Sequence, residues 1–209
     1  MRRFIKSLAT MGLFGSIGWA GLMYQGFASD TANGEEFNLI KEAEMPEGFP
    51  SPTAVGRIEV KQYPAYRRAT AAGMGEFWRL FRHIKQNSVS MTAPVEMEYG
   101  NARDAAGKRS MSFLYERPDQ GSTGRQGSVD VVDVPPATVV SIGCRGPQSA
   151  SSVEAARQRL LQWLSENDQY VPAGPMRVMG YNSPFVPRDR NFFEVQIPVE
   201  RASEEASNS

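Results

Sequence analysis

The chain has 209 residues, of which 41% are hydrophobic and 22% charged, and this favours one folded domain with appended segments. Its 23 Lys and Arg residues balance 23 Asp and Glu residues. Nucleic acid is therefore not expected as a partner, since its binding needs a basic surface. The single cysteine, Cys144, cannot form an internal disulfide, and the single histidine, His83, cannot build a zinc cluster. These counts exclude disulfide scaffolds and His/Cys metal sites.

The first 28 residues have the pattern of an export segment. Three cations among the first six residues precede an uncharged run from Ser7 to Ser29. Small residues at Gly26 and Ala28 favour cleavage before Ser29, whereas the length of the run is also sufficient for residues 4–28 to tether the chain in a membrane. We therefore expect residues 1–28 to be a signal peptide or a membrane anchor. The rest of the chain is then exported, periplasmic or otherwise extracytoplasmic, and either soluble or anchored.

Two further segments are predicted to lie outside the fold. Residues 29–56 contain six acidic side chains, Lys41 as their single cation and three prolines, which is typical of a linker. Residues 201–209 have almost nothing apolar to bury and are predicted to be a disordered tail. The folded domain is therefore expected over residues 57–200.

The hydrophobic pattern of this domain predicts two copies of one unit. The first copy comprises an extended run at Ile58–Ala71, a helix at Met74–Ile84 and strands at Val95–Tyr99 and Met111–Glu116. The second comprises a strand at Thr138–Cys144, a helix at Val153–Leu164 with a Ser151/Glu154 capping box, and strands at Met176–Asn182 and Phe192–Val199. A further strand is predicted at Val129–Val134, between the copies. This order predicts an α+β fold: a pseudo-twofold duplicated βαββ unit whose antiparallel sheet, open or curled into a distorted barrel, is covered by two helices.

Several short motifs follow one another along the predicted domain. Met91-Thr92-Ala93-Pro94-Val95 follows the aromatic helix Phe77–Ile84, and a Val-Asp-Val-Pro-Pro-Ala run ends at Ala137 before the Gly180–Pro184 turn. Together these motifs resemble the SOUL haem-binding family over residues 57–200. The resemblance implies a twofold pseudo-symmetric βαββ fold that binds haem or a related tetrapyrrole reversibly and non-covalently in an apolar crevice.

Six residues are the candidate ligand contacts: Phe77, Phe81, Met91, Arg67, Lys61 and Tyr181. Phe77 and Phe81 share one helix face with Met74. The resemblance implies that Lys61 and Arg67 lie near the haem propionates, and the planar fork of an arginine suits a carboxylate. The alternative for both cations is the water-exposed face of a half-buried strand. Tyr181 either lines the crevice or caps a strand end.

Other chemistry-bearing residues are expected to be structural, and no metal ligand is assigned. His83 falls on the helix side opposite to Phe77 and is expected to face water or a surface neighbour rather than iron. Cys144 is expected to be a buried structural thiol, and Glu96 and Glu98 to lie on the water-exposed face of a strand.

The expected function is therefore binding without catalysis. The sequence contains no nucleophilic-serine elbow and no phosphate-binding glycine loop, so no enzyme activity is predicted. The leading hypothesis is an exported monomer that carries, buffers or senses a tetrapyrrole. One alternative is a module of the same fold for a different apolar ligand. Another is an interaction or scaffold protein whose cleft is filled by its own side chains, such as Phe185, Val186 and Phe192-Phe193.

Overall fold

A computed structural model of the protein describes residues 39–103 and 107–202. The predicted signal peptide or anchor, the first part of the predicted linker and most of the predicted tail lie outside these residues. Within the described part of the chain, no helix is long and apolar enough to cross a membrane.

The described residues form ten strands, two α-helices and one short 3-10 helix. In chain order these are β1 (Ile58–Tyr63), β2 (Tyr66–Ala71), α1 (Glu76–Gln86), β3 (Val95–Asn101), β4 (Ser110–Leu114), β5 (Gly124–Gln126), β6 (Val129–Val134), β7 (Ala137–Arg145), α2 (Ala150–Ser165), β8 (Tyr170–Pro172), β9 (Pro175–Gly180), the 3-10 helix (Arg188–Arg190) and β10 (Phe192–Arg201). The pattern of helices and strands confirms the predicted α+β class.

All strands join one antiparallel sheet, ordered β1-β7-β10-β9-β3-β4-β2-β6-β5. The short strand β8 pairs with the last three residues of β10, after the stretch of β10 that pairs with β9. The sheet is open, so the distorted barrel that was one of the two predicted forms is not closed. The segments β2-α1-β3-β4 and β7-α2-β9-β10 occupy the two halves of this order and meet where β3 pairs with β9. That the two halves arose by duplication stays a prediction.

The first predicted extended run, Ile58–Ala71, is in fact two strands, because strand structure is interrupted at Pro64. Proline has no N–H to give to a strand ladder. As a result β1 pairs with β7 near one end of the sheet, whereas β2 pairs with β4 and β6 near the other.

The predicted capping box is wrong in position. The side chain of Ser149 accepts a hydrogen bond from the Ser152 amide at 3.1 Å, and the Ser152 hydroxyl accepts one from the Ser149 amide at 2.9 Å. The helix therefore begins at Ala150, and Glu154 pairs with Arg157 at 2.6 Å instead of closing a cap.

Both helices cover the same face of the sheet. Met111, Met97, Val178, Val195 and Ile142 stand directly opposite one another across five strands, so they share that face. The helix α1 packs its buried residues against β2, β4 and β6, and α2 packs against β7 and β10. This face is the main apolar core.

The opposite face of the sheet is ionic and just as deeply buried. Glu194 has no exposed surface and accepts hydrogen bonds from Lys61 at 2.7 Å, from the Tyr181 hydroxyl at 2.9 Å and from the Thr53 amide. Glu96, with 1% exposure, accepts from the Tyr66 hydroxyl at 2.6 Å and is paired with Arg68 and Arg177. The expectation that Glu96 faces water is therefore wrong.

Glu96 and its partners are buried because residues 39–56 cover this face, where a linker was predicted. Leu39, Met45 and Phe49 pack against a cluster that contains Tyr63 and Met179. The prolines of this segment prevent regular structure without preventing side-chain packing. The predicted start of the fold near Arg57 is thus too late.

Gly143 marks the closest approach of this covering segment to the sheet. A Cβ atom on Gly143 would overlap the carbonyl oxygen of Thr53 and lie 2.6 Å from that of Ala54. We expect Gly143→Ala to lower the unfolding free energy by about 1–3 kcal/mol or more, because backbone must move. Gly174→Ala is the control, since its Cβ would meet Pro198 at an ordinary 3.4 Å and should change stability by less than about 0.5 kcal/mol. Urea denaturation measures both, and equal stability of the two variants would contradict the close packing.

The ionic face also predicts a loss of stability in alkali. Burial, helped by the charge of Glu194, raises the pKa of Tyr63 from 10.0 to about 12. The fold therefore favours the neutral phenol. The stability that Tyr63 contributes in this form is fully present below pH 10 and is lost as pH rises towards 12. We expect Tyr63 to account for about 3 kcal/mol of the fall in unfolding free energy over that interval. Tyr63→Phe should have a shallower dependence of unfolding free energy on pH above 10, and an unchanged slope would refute the assignment.

Candidate functional site

A cavity of about 530 Å³ lies on the helix-covered face, between α1 and the start of α2. Its volume falls within the roughly 300–1,000 Å³ that is usual for small-molecule and cofactor sites. The wall residues come from α1, β3, β4, the end of β9 and four irregular segments: Glu42, Ala43, Phe77, Phe81, Met91, Thr92, Ala93, Val95, Met97, Met111, Gln148 and Gly180 to Phe185.

The wall on the α1 side is aromatic. Phe77 and Phe81 are one helical turn apart, so their rings stack with centroids 6.1 Å apart and planes inclined by 10°. Phe113 of β4 meets the ring of Phe77 edge-on at 5.4 Å and supports it from the sheet. The pair gives the cavity an apolar side.

The floor is formed by the central strands and is rich in thioethers. Met97 and Met111 are directly opposed on β3 and β4, and the Met97 sulfur accepts a hydrogen bond from Gln148 at 3.1 Å. A Cβ atom on Gly180 would come within 3.1 Å of the Met97 methyl group, so glycine keeps this part of the floor open.

The loop that follows β9 forms the third wall, and Glu42 holds it in place. The two carboxylate oxygens of Glu42 accept hydrogen bonds from the Ser183 amide and hydroxyl, both at 2.7 Å. Burial acts to raise the pKa of Glu42, but the hydrogen bonds from Ser183 and Asn182 outweigh it and keep the pKa below its usual value. Glu42 thus stays charged and fixes the loop. Glu42 was not among the predicted site residues, because it lies in the predicted linker.

Four of the six sequence-predicted residues meet in this cavity. Phe77, Phe81 and Met91 line the cavity. Tyr181 also lines it, and its hydroxyl donates a hydrogen bond to Glu194 on the ionic face. Tyr181 therefore takes part in both faces of the domain. That these residues contact a ligand stays a prediction.

The two predicted cations, Lys61 and Arg67, do not line the cavity. Lys61 points to the ionic face because β1 alternates its side chains, and its ammonium is bound to Glu194. Arg67 uses Nε and Nη2 to bind the two carboxylate oxygens of Asp133, at 2.7 and 3.0 Å, across the β2–β6 pair. Among the described wall residues there is no Lys or Arg, and Lys85 lies nearby, with its Nζ 5.5 Å from the Phe81 ring centroid.

Two expectations about α1 are corrected. His83 is buried rather than facing water, because Tyr115 covers that side of the helix; His83 Nε2 is 2.8 Å from the Tyr115 hydroxyl. Burial lowers the pKa of His83, and the residue is not part of the cavity wall. Met74 is fully exposed instead of packed, since α1 begins at Glu76 after Gly75, whose φ of 75° is not helical.

Cys144 is partly buried on β7, and burial raises its pKa to about 11. Its thiol is therefore almost entirely protonated near neutral pH. Across the described residues, no group of three or more His, Cys, Asp or Glu side chains is placed to hold a metal ion.

Comparison with solved structures shows the fold in other proteins. The C-terminal domain of EcmrR matches with a TM-score of 0.54 and 19% identity, over 70% of this chain and 98% of that one. EcmrR in its complex with DNA matches with a TM-score of 0.53 and 16% identity, over 70% of this chain and 58% of that one. A hydrolase from Listeria innocua matches with a TM-score of 0.50 and 15% identity, over 72% of this chain and 94% of that one. At these identities the likeness concerns the fold alone.

No curated protein matches the chain. Residues 50–198, in contrast, match the family described as SOUL heme-binding protein. This region contains both helices, nearly all of the sheet and most of the cavity wall. The chain therefore belongs to the SOUL heme-binding protein family.

Proposed function

We propose that the protein binds haem or a related tetrapyrrole reversibly and non-covalently in the cavity between α1 and the central strands. It acts as a carrier, buffer or sensor outside the cytoplasm and catalyses no reaction. The observation that carries the proposal is the stacked Phe77–Phe81 wall, which faces the same cavity as the family motif Met91–Val95.

The apolar lining of the cavity supports the proposal. A tetrapyrrole offers two flat apolar faces, and the stacked phenylalanines and the thioether floor offer matching surfaces. Burial of apolar area stabilises by roughly 25 cal/mol per Å², so most of the affinity is expected from these contacts. Haem would supply an iron centre when bound, while the residues of the chain bind and orient the ring and exclude water from it.

Iron ligation contributes less in this proposal. His83 is bound to Tyr115 and lies outside the wall. Burial and the charge of Glu194 raise the pKa of Tyr181 well above its usual value, so its hydroxyl remains protonated. The Glu42 carboxylate is already bound to Ser183, so the remaining candidate ligands among the described wall residues are thioethers, such as that of Met91.

Charge around the cavity suggests how the propionates are held. Glu42 makes one wall acidic, whereas Lys85 lies beside the aromatic wall on α1. A propionate is therefore expected on the α1 side, near Lys85, and not near Lys61 or Arg67. Charge-assisted hydrogen bonds of this kind contribute about 1.5–3 kcal/mol each.

The self-filled cleft receives less support. Val186, Phe192 and Phe193 are buried in the fold, but Phe185 is 94% exposed, and a cavity of about 530 Å³ remains beside it. The other alternative, a different apolar ligand in the same cavity, is separated from haem by titration.

The first test compares hemin with metal-free protoporphyrin. If the apolar walls carry recognition, both should bind with affinities within about tenfold of each other, or about 1.4 kcal/mol. His83→Ala should likewise change hemin affinity by less than about tenfold. Absorbance titration in the Soret region measures binding, and circular dichroism verifies the fold of the variant. A folded His83→Ala protein that loses hemin but keeps protoporphyrin would show that iron carries recognition instead.

The second test places a charge in the aromatic wall. Phe81→Glu should weaken binding of both porphyrins by at least about tenfold, because it replaces a stacked ring with a carboxylate and draws Lys85, its i+4 neighbour, away from a propionate. Gln86→Glu introduces the same charge on the exposed side of α1 and serves as the control. Unchanged affinity in a folded Phe81→Glu protein would exclude this cavity as the binding site.

A further inference from the structure

Several large apolar side chains remain exposed at the edge of the cavity. We define the apolar rim as Phe77, Trp78, Met91 and Phe185. Trp78 is 67% exposed and Phe185 94% exposed, and the Trp78 ring packs edge-on against Phe77 at 5.3 Å. Contiguous apolar groups of this kind on a surface mark an interaction site rather than ordinary exposure.

Cations accompany the rim on the outer face of α1. At 100° per residue, Trp78, Arg82 and Lys85 fall on one side of the helix, and all three are exposed. Tryptophan beside lysine and arginine is the composition of a helix that lies at a membrane interface, where the ring enters the headgroup region and the cations meet lipid phosphates. The chemistry of this face therefore matches an anionic lipid surface.

We infer that the apolar rim docks onto an anionic phospholipid bilayer, with Trp78 and Phe185 inserted among the headgroups and with Arg82 and Lys85 paired to lipid phosphates. Docking places the cavity entrance against the lipid, so that an apolar ligand passes between bilayer and cavity without crossing water. The docking does not depend on which ligand the cavity binds.

The test uses the full chain mixed with vesicles of phosphatidylglycerol and phosphatidylcholine whose acyl chains carry bromine, a quencher of tryptophan. Trp19→Phe with Trp163→Phe leaves Trp78 as the reporter. Trp19→Phe with Trp78→Phe leaves Trp163, which lies in the last turns of α2, about 20 Å along the helix from the cavity end. We expect bromine to reduce Trp78 emission about twofold or more and to leave Trp163 emission nearly unchanged.

A charge-reversal pair completes the design. Lys85→Glu should reduce the quenching of Trp78 by about half or more, whereas Arg57→Glu, an exposed cation just before β1, should not. Trp78 emission that is unaffected by brominated lipid would overturn the inference and would mean that a protein or another partner covers the rim. Equal loss of Trp78 quenching in Lys85→Glu and Arg57→Glu would also overturn the inference, since the protein would then be attracted to the lipid by its overall charge and not by this face. A hemin titration without vesicles tests the proposed function separately.

Discussion

The fold depends on keeping the buried carboxylate of Glu194 ionically paired. A charge with no access to water costs several kcal/mol unless donors surround it. The donors to Glu194 come from four elements of the fold: Thr53 in the covering segment, Lys61 on β1, Tyr181 after β9 and Gln196 on β10 itself. Lys61 supplies the counter-charge and the other donors supply hydrogen bonds to the same carboxylate, so the covering segment, the edge strand and the loop at the cavity are held together by one group.

The two faces of the sheet have separate tasks. The ionic face fixes the register of strands and the position of the covering segment through directional bonds. The apolar face supports the helices and leaves a cavity between them. Tyr181 connects these tasks, since the residue lines the cavity while its hydroxyl is bound to Glu194. A shift of the loop at the cavity would therefore be resisted by the buried network on the other face.

Sequence reasoning succeeded where one local rule decided the structure. The spacing of Phe77 and Phe81 predicted their shared helix face, and alternating apolar residues predicted most strands to within a few residues of their ends. It failed where tertiary contacts decided. Lys61 and Glu96 have the alternation of an exposed strand face, and their burial follows from residues 39–56, whose low hydropathy concealed a covering role. His83 was misplaced for a similar reason, because its cover, Tyr115, is distant in sequence.

Glu42 has a consequence for how members of this family differ from one another. The family match begins at residue 50, whereas the carboxylate that holds the Ser183 loop, and Ala43 beside it, come before that boundary. Part of the cavity is thus built by sequence that the shared domain does not include. Two proteins with the same matched region can accordingly have cavities of different shape and charge, and ligand preference can diverge through the leading segment while the common fold stays intact.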